Sequence, residues 1–475
     1  MPCHGVWYPG CQFDMHDDRE PRVLATVQEP DQLRELPTPG LDDSERWVAT
    51  HLDGHFSGAP RRSDAFVGGQ QAADSAMAAL DIGGYAKRRS QVWPPETRGA
   101  SKLSPYIRHG LIDLPTVHDH PSVQGAHSSD RFRFRGELLW QDYSRHWYAA
   151  FGTQTRHGVV YRPQPGESAA TWKQDAWWRD MKCVDANLDE LHTDGWMVNQ
   201  TRMWLASQWS VRAGADWRAG EDEMFRHLLD GSRAANRNGW QWVVGGLRSR
   251  SYGFARRQVA RRAPEFCASC SLADACPIGG YPGSVAGPMT DTPTMSTDLF
   301  GPGLPSDPTL FDSPRGNETS VMPEAVWLTA ESLGDADPAL AAHPDLPVHF
   351  VLDAPLLRRL GLDGKRLVFL TDCLADLAQR RDLTVWLGRP RDLVSSTPVA
   401  VTHAPVPGFA RITADLDVRA HPWKWLRPPT PGLLDRLALK RFPSFKDWCR
   451  ITKPASPSHR PSRSSTNEKS DDRAP

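Results

Sequence analysis

The pattern of apolar and polar positions divides the chain into a helical part and a later part that alternates strands with a helix. From residue 101 to about 262, long runs of alternating β-branched residues do not occur, which indicates a mainly helical region. Apolar residues at helical spacing predict an earlier amphipathic helix over 72–89. Within the region the predicted helices are 136–150, 184–192, 196–209 and 221–229. The last is predicted to begin after Gly220, because acidic residues then occupy the first turn, where the helix dipole favours them.

Short apolar runs follow residue 324 and predict buried strands over 326–329, 348–352 and 383–387. Between the last two runs, residues 364–381 have the pattern of a helix. Alternation of strand and helix is typical of a parallel α/β unit. The second part of the chain is therefore predicted to be a small α/β domain.

Irregular composition marks the predicted domain boundaries. Residues 1–60 are rich in Pro, Asp and His and predict an irregular N-terminal extension before a helical domain over 61–276. Pro, Gly, Ser, Thr and Asp dominate 277–323, a composition typical of a disordered linker. The α/β domain then spans 324–452. A polar, Ser- and Pro-rich tail, predicted to be disordered, occupies 453–475.

Composition and charge narrow the class of protein. The 475 residues include 39% apolar residues, enough for a sizeable core, and the net charge of −1 gives no global basic field for nucleic acid. Any DNA binding therefore requires a local basic patch. The sequence has neither an apolar run of membrane-spanning length nor a signal-peptide pattern at its start, so we expect a cytoplasmic protein without membrane contact.

Three cysteines form a compact motif that indicates a metal centre. Cys267, Cys270 and Cys276 follow a C-x2-C-x5-C-P pattern, and a proline after the last ligand occurs in cubane iron–sulfur motifs. Spacing alone does not separate an iron–sulfur cluster from a zinc site, and buried structural cysteines are a further alternative. A fourth ligand is needed. The candidates on sequence alone are Cys183, Cys373, Cys3 and Cys11.

Further segments of the helical region carry a family resemblance. ASKLSPYIRHG at 100–110 resembles T-S-x-L-S-P-Y-L-x-x-G, and GELLWQDYSRH at 136–146 resembles E-L-x-W-R-[ED]-F-Y. Residues 184–203 are similar to V-D-A-x-M-R-x-L-x-x-x-G-W-M-H-N-R-x-R-M. They are followed at matching spacing by D-W-R at 216–218 and by a segment like D-G-D-x-A-x-N-x-x-G-W-Q-W at 230–242. Together these segments resemble the photolyase/cryptochrome superfamily.

This resemblance implies a mainly α, photolyase-type FAD-binding domain and a smaller Rossmann-like α/β domain. That family begins with its α/β domain, so here the domain is expected to be truncated and moved to the C-terminus. Arg202 and Asp230 would pair beside the isoalloxazine ring, and Asn236 would lie near flavin N5. The complete set of expected FAD contacts is Tyr85, Ser101, Leu103, Ser104, Phe134, Trp196, Asn199, Arg202, Asp230, Ser232 and Asn236.

The sequence departs from the family pattern at several of these positions. Ala100 replaces the usual Thr, and Gln141 replaces the usual Arg. Val198 stands in place of His, and Ser232 in place of Asp. Ala100 loses a hydroxyl contact, and Gln141 changes a polar contact that the family pattern would supply.

The resemblance also implies catalytic and DNA-contacting residues. Glu137 and Trp140 would face the substrate, with Met203 and Trp242 also lining the pocket, while Trp240 and Trp217 would begin an electron-transfer chain. Its third member stays open among Trp172, Trp177, Trp178, Trp204 and Trp209. Arg256 and Arg257 belong to a basic stretch before the cysteines that either contacts DNA phosphates or is a solvated helix face.

One bacterial branch of the superfamily carries a [4Fe-4S] cluster, and the cysteines match its order along the chain. By that resemblance Cys183, directly before the 184–203 segment, would join Cys267, Cys270 and Cys276 as the fourth ligand. The gap before the last cysteine is shorter here than in that branch.

These features give three hypotheses. The first is a monomeric lyase that uses FAD and blue light to split pyrimidine dimers in damaged DNA. The second is a cryptochrome-like photoreceptor without repair activity, and the third is a flavin and iron–sulfur protein with no light function. Whether an antenna pigment is bound is left open.

Overall fold

The computed structural model describes residues 31–157, 161–163, 172, 175–248, 250–282, 286–288, 322–414, 416, 418–438 and 442–453. Outside these ranges lie residues 1–30 of the expected N-terminal extension, with Cys3 and Cys11, and all but the first residue of the expected tail. Most of the expected linker also lies outside the described residues.

The regular elements described before residue 270 are mainly helices. They are α1 (Ser44–His51), α2 (Gln70–Ala78), α3 (Tyr85–Arg88), α4 (Ser104–Arg108), α5 (Leu114–Asp119), α6 (Pro121–Gly125), α7 (Ser128–Phe151), α8 (Lys182–Asp194), α9 (Asn199–Ser207), α10 (Trp217–His227), α11 (Arg233–Val243), α12 (Arg256–Arg262) and α13 (Pro264–Ala268). Short 3-10 turns lie at Pro95–Thr97 and Gly152–Arg156, and a π-turn at Gln208–Arg212 extends α9. The helical character predicted for this region is confirmed.

Helices and strands alternate in the later part. The helices are α14 (Pro338–Ala342), α15 (Ala354–Leu360), α16 (Gly364–Leu377), α17 (Pro390–Ser396), α18 (Pro407–Thr413), α19 (Pro431–Ala438) and α20 (Phe445–Ile451). The strands are β4 (Ala325–Leu328), β5 (Val348–Asp353), β6 (Leu383–Gly388), β7 (Val399–Thr402) and β8 (Val418–His421). Earlier in the chain lie β1 (Arg34–Leu36), β2 (Tyr161–Pro163) and β3 (Ala286–Pro288), of which β2 and β3 form a separate antiparallel pair.

Among the described residues, six strands form a mixed sheet in the order β1-β6-β5-β4-β7-β8. The neighbours from β6 to β8 are parallel, for example with Val348 opposite Leu383, and β1 is antiparallel to β6. Strand β4 is buried along its whole length, as expected for a parallel strand covered on both faces. The predicted parallel α/β unit is therefore present.

Residues 31–60 differ from the irregular extension expected for 1–60. Strand β1 adds an edge to the sheet, and α1 packs against α16, with Trp47 and Val48 buried. A three-residue edge strand carries too weak an apolar pattern to stand out in the sequence. The α/β layer is therefore built from both ends of the described chain.

Two predicted helices also have different bounds. The helix expected over 72–89 is two helices, α2 and α3, because Gly83 and Gly84 interrupt it and Gly84 adopts a left-handed conformation at φ 71°. Helix α10 begins at Trp217, not after Gly220. The side chain of Asp216 accepts a hydrogen bond from the Arg218 N–H and caps it.

The helical and α/β parts share a continuous apolar core and meet closely at Gly110. An added Cβ there would lie 2.5 Å from the Glu331 carbonyl oxygen, and the Leu333 N–H donates to the His109 carbonyl at 2.9 Å. Gly110 also has a φ of 66°. The end of the 100–110 segment therefore contacts the loop after β4. In the described part of the chain, no helix is long and apolar enough to cross a membrane.

Candidate functional site

Arg202 and Asp230 form a two-pronged ion pair in the helical part. From α9, Nη1 and Nη2 of Arg202 donate to Oδ1 and Oδ2 of Asp230 at 3.0 and 2.7 Å. The Asp230 side chain is 5% exposed and that of Arg202 21%. Nε of Arg202 also donates to the Met197 carbonyl at 3.0 Å, which fixes the guanidinium plane. The structure thus brings together the two residues that the family pattern pairs.

Two further arginines hold the turn that carries Asp230, and sequence reasoning missed both. Arg108 of α4 and Arg366 of α16 donate to the Gly231 carbonyl at 3.0 and 3.1 Å. Arg366 is buried, and burial lowers its pKa to about 9 although the Asp230 charge opposes this. The α/β part therefore supplies a cation beside the candidate flavin site. No sequence motif marks this contact, because it joins residues 135 positions apart.

Asn236 is oriented by a buried carboxylate. Its Nδ2 donates to Oε1 of Glu221 at 3.1 Å and to the Glu221 carbonyl at 3.2 Å. Glu221 is fully buried and accepts from Arg233 at 2.7 Å and from Arg237 at 3.2 Å. Because the amide nitrogen is committed to Glu221, the amide oxygen is the acceptor that Asn236 can offer to another group.

The 100–110 segment lies against the segment that precedes α9. Trp196, which is buried, donates from Nε1 to Oγ of Ser104 at 2.9 Å. Leu103 is buried and Ser101 is half-buried, while Lys102 between them has a φ of 56°. Helix α4 has only five residues, so the anion-binding turn expected here leads into a short helix.

The other expected FAD contacts differ in how far their side chains are buried. The rings of Tyr85 and Phe134 meet edge-on at 5.1 Å, and burial raises the pKa of the Tyr85 hydroxyl. Ser232 is half-buried at the start of α11. Asn199 at the start of α9 is exposed, unlike the rest of the set.

Glu137 on α7 is paired with Arg89, a partner that sequence reasoning missed. Nη1 of Arg89 donates to Oε1 of Glu137 at 2.6 Å. Burial raises the pKa of Glu137, and the charges of Arg89 and Arg133 oppose the rise. Burial and the neighbouring arginines therefore act on the pKa of this carboxyl group in opposite directions.

Trp140 lies one turn after Glu137, and an aromatic ring from the C-terminal helix covers it. The rings of Trp140 and Phe445 are stacked at 3.8 Å between centroids with 10° between planes. Met203 and Trp242 are half-buried. The guanidinium carbon of Arg248 lies 3.8 Å from the centroid of the Trp242 ring, which also packs against Tyr252 at 5.3 Å.

Trp240 lies close to Trp209 across Gly220. An added Cβ on Gly220 would lie 2.5 Å from a ring atom of Trp240 and 2.7 Å from one of Trp209, so the two ring atoms are separated by at most the sum of these distances. Trp209 also contacts Trp177 at 4.8 Å between centroids. Trp217, the expected second member of the chain, is buried at the first position of α10.

Cys183, Cys267, Cys270 and Cys276 line a cavity of about 350 Å³, part of which is open to solvent. Burial raises the pKa of Cys183, and the other three cysteines raise it further. Cys373 is buried in α16 against Gly68, in the α/β part. Among the candidates that the structure describes, Cys183 is therefore the one that faces the motif.

The cavity is apolar apart from the four thiols and Arg256. No three His, Cys, Asp or Glu side chains in the described ranges converge closely enough to hold a single metal ion. Buried Arg212 donates from Nε to the Phe254 carbonyl at 2.6 Å, and its charge lies near Cys276 and Cys183. A zinc site would need its ligands gathered around one point.

The two arginines of the basic stretch on α12 have different surroundings. Arg256 is half-buried and donates to the Ala273 carbonyl at 2.8 Å, so it holds the cysteine loop. Arg257 is exposed and donates to the Tyr281 hydroxyl at 3.2 Å. Of the two expected phosphate contacts, Arg257 is the one that faces solvent.

Known proteins are similar to the part of the chain that holds most of these residues. Residues 134–262 match the family model described as the FAD binding domain of DNA photolyase. Deoxyribodipyrimidine photo-lyase of Alkalihalophilus pseudofirmus is 31% identical over 169 residues, which cover 34% of each chain. The enzyme of the same name from a Synechococcus species is 30% identical over 244 residues, covering 47% of this chain and 46% of that one. The chain thus spans less than half the length of these relatives.

A solved cryptochrome from Synechocystis gives a TM-score of 0.38 at 22% identity, covering 44% of this chain and 46% of that one. This likeness is too distant to decide the arrangement of the domains. The sequence matches thus show that this part of the chain is similar to the FAD-binding domain of DNA photolyases.

Proposed function

We propose that the protein is an FAD-dependent enzyme that uses blue light to split pyrimidine dimers in DNA. The observation that carries this proposal is the two-pronged Arg202–Asp230 ion pair, which lies within the segment that matches the photolyase FAD-binding domain. The activity is named by the relatives, deoxyribodipyrimidine photo-lyases of which this chain covers only part.

The residues present fit FAD. Ser101, Leu103 and Ser104 would hold the phosphates, while the Arg202–Asp230 pair would border the isoalloxazine ring. Asn236 would offer its amide oxygen to N5, because its nitrogen already donates to Glu221. When bound, FAD supplies the absorption of blue light and the electron that splits the dimer.

Glu137 and Trp140 would contact the dimer after it leaves the duplex. The raised pKa of Glu137 favours a protonated carboxyl group that donates a hydrogen bond, and Arg89 opposes this by favouring the carboxylate. Trp140, Met203 and Trp242 would supply apolar surface for the bases, and Arg257 would meet a phosphate.

Trp240 would pass an electron toward the flavin from the protein surface. Trp209 is a better next member of this route than Trp217. It lies next to Trp240 and is half-buried, whereas Trp217 is buried. Trp177 contacts Trp209 but is buried, so Trp209 is the member of this route that reaches solvent. A dissolved thiol would return the electron to the last tryptophan.

We further propose that Cys183, Cys267, Cys270 and Cys276 hold a [4Fe-4S] cluster. The four thiols line one cavity, and a [4Fe-4S] cube takes one cysteine for each of its four irons. Iron and sulfide analysis of protein purified without oxygen should give about four of each per chain. In Cys183→Ser the content should fall, and in Cys373→Ser it should not. Tightly bound zinc without sulfide would contradict the proposal.

We also propose that the α/β part is a shortened, Rossmann-like antenna-type domain that follows the FAD domain instead of preceding it. Its parallel strands β4 to β8 and its contact with the 100–110 segment at Gly110 support this. Dissecting the chain at the 289–321 segment and reversing the order of the halves should leave FAD binding intact if the order is a permutation.

The proposed repair is tested with an oligonucleotide that carries a cyclobutane dimer or a 6-4 product. Loss of either lesion under blue light, and not in the dark, is the expected result. Asn236→Ala should slow repair, while Gln71→Ala, at an exposed position of α2 outside the candidate site, serves as the control. A flavin-loaded protein that repairs neither lesion would contradict the proposal.

One observation favours a second candidate, a cryptochrome-like photoreceptor without repair activity. The stack of Phe445 on Trp140 fills the place where a base would pack. If illumination reduces the flavin but leaves both lesions intact, this candidate is the better description.

A further inference from the structure

Helix α20 presents a single aromatic ring to the candidate substrate site. Phe445 lies flat on Trp140 at 3.8 Å, and Tyr143 meets the Trp140 ring edge-on at 5.3 Å. Both Trp140 and Phe445 are half-buried, so the pair lies at the rim of the helical part. The near-parallel geometry is that of two stacked bases.

The helix is anchored by residues other than Phe445. Trp448 is fully buried and donates from Nε1 to Nδ1 of His146 at 2.8 Å. The Tyr143 hydroxyl donates to the Pro443 carbonyl at 3.1 Å. These contacts fix α20 on the next two turns of α7 without the Phe445 side chain, which itself packs edge-on against Tyr143 at 5.5 Å.

A nucleobase and Phe445 would use the same face of Trp140. Stacking of a base on an aromatic side chain is favourable for every base, because each has a π-face. The base must first displace Phe445, and an aromatic pair contributes free energy that the displacement would lose. Binding is therefore weaker than it would be on an open Trp140.

We propose that Phe445 competes with nucleobases for the ring of Trp140 and thereby lowers the affinity of this surface for DNA. This inference rests on the proposed function, since it takes the Trp140 ring as a surface for bases. A base that is already unstacked, as in a damaged or single strand, loses the least stacking energy when it moves onto Trp140. The displacement of Phe445 costs the same for every base, so it lowers the affinity for each strand that places a base on Trp140.

The test measures the Kd of the flavin-loaded protein for three fluorescent oligonucleotides: dimer-containing single strand, undamaged single strand and undamaged duplex. Phe445→Ala should tighten single-strand binding between about two- and tenfold. The matched control is Phe442→Ala, because Phe442 belongs to the same segment but contacts Tyr143 at 5.2 Å and Phe151 at 5.7 Å. In a Trp140→Ala background, Phe445→Ala should bring no gain.

The outcomes separate this inference from repair. A gain that depends on Trp140 supports it, even if the dimer is not preferred and repair fails. Unchanged or weaker binding by Phe445→Ala overturns it, even if the wild-type protein repairs dimers. An equal gain from Phe442→Ala, or a gain that persists without Trp140, also overturns it. Absence of DNA binding by every variant removes both proposals.

Discussion

At the scale of single residues, the pairing of Arg202 with Asp230 is the feature that sequence comparison predicted best. Both positions belong to motifs that resemble the photolyase/cryptochrome pattern, and that resemblance identified the partners. The partners of Asn236 and Glu137 were not predictable in this way. Glu221 and Arg89 lie outside the quoted motif positions, and only the packing of α10 on α11 and of α3 on α7 brings them into contact.

Replacing Asp230 by Asn removes the charge and leaves the Arg202 guanidinium without a counter-ion in a largely buried position. We expect the free energy of unfolding to fall by about 3 kcal/mol and FAD to bind more weakly. The exposed Arg179–Asp189 pair provides the control, and Asp189→Asn should change stability by less than about 1 kcal/mol. Urea unfolding and FAD titration check both. Equal effects from the two variants would contradict a special role for Asp230.

Substitution of Trp209 tests the proposed electron route. Trp209→Phe should slow photoreduction of the flavin several-fold in the presence of a thiol, because it removes the ring that neighbours Trp240 across Gly220. Trp204→Phe is the control, since Trp204 is buried against Phe254 at 5.5 Å. Flavin absorbance under blue light gives the rate. A wild-type rate in Trp209→Phe together with loss in Trp217→Phe would assign the route to Trp217.

At the scale of elements, α7 carries three sets of residues. Glu137 and Trp140 are the expected substrate contacts, Tyr143 and Trp147 pack against the C-terminal segment, and Asp142 accepts a hydrogen bond from the Arg427 N–H. The sequence predicted the helix over 136–150 from its periodicity. What packs on it was not predictable, because the contacts of Tyr143 with Pro443 and of Asp142 with Arg427 span some 300 residues.

Asp142 should make the stability of the protein depend on pH. Burial raises the pKa of its carboxyl group from 3.8 to about 7, although the Arg427 N–H donates to it at 2.7 Å. The folded state therefore binds the proton more tightly than the unfolded state. The stability from this group is present below pH 3.8 and is lost as the pH rises toward 7.

Asp142→Asn keeps an acceptor for the Arg427 N–H and cannot ionise. The stability of this variant relative to wild type should be greater at pH 8.5 than at pH 5. The shift in urea midpoint at each pH measures this difference. Asp189→Asn, at an exposed position, should show no such trend. A wild-type advantage that grows with pH would show that the neighbouring arginines, not burial, dominate at Asp142.

At the scale of the whole molecule, the two parts of the chain interlock around the candidate flavin site. Arg366 of the α/β part reaches the turn after Asp230, and the loop after β4 packs on Gly110. Periodicity predicted a helical part followed by an α/β part, and both are present. It did not predict that β1 and α1 join the later sheet, because a short edge strand and one helix carry no long-range signal.

Two glycines test how closely the parts are fitted. Gly110→Ala should lower the free energy of unfolding by about 1–3 kcal/mol, because φ is 66° and the new Cβ would meet the Glu331 carbonyl at 2.5 Å. Gly239→Ala, inside α11 and with no atom within 4 Å of the added Cβ, should instead raise it by about 0.5–1 kcal/mol. Thermal unfolding measures both, and a neutral Gly110→Ala would show that the contact is not tight.

The central claim is that the helical part binds FAD around the Arg202–Asp230 pair. Its most direct test is the amount of FAD released on denaturing the purified protein after incubation with excess flavin and removal of the unbound fraction. We expect one FAD per wild-type chain. Asp230→Asn should release clearly less FAD than Asp189→Asn. A folded wild-type protein that retains no FAD would contradict it.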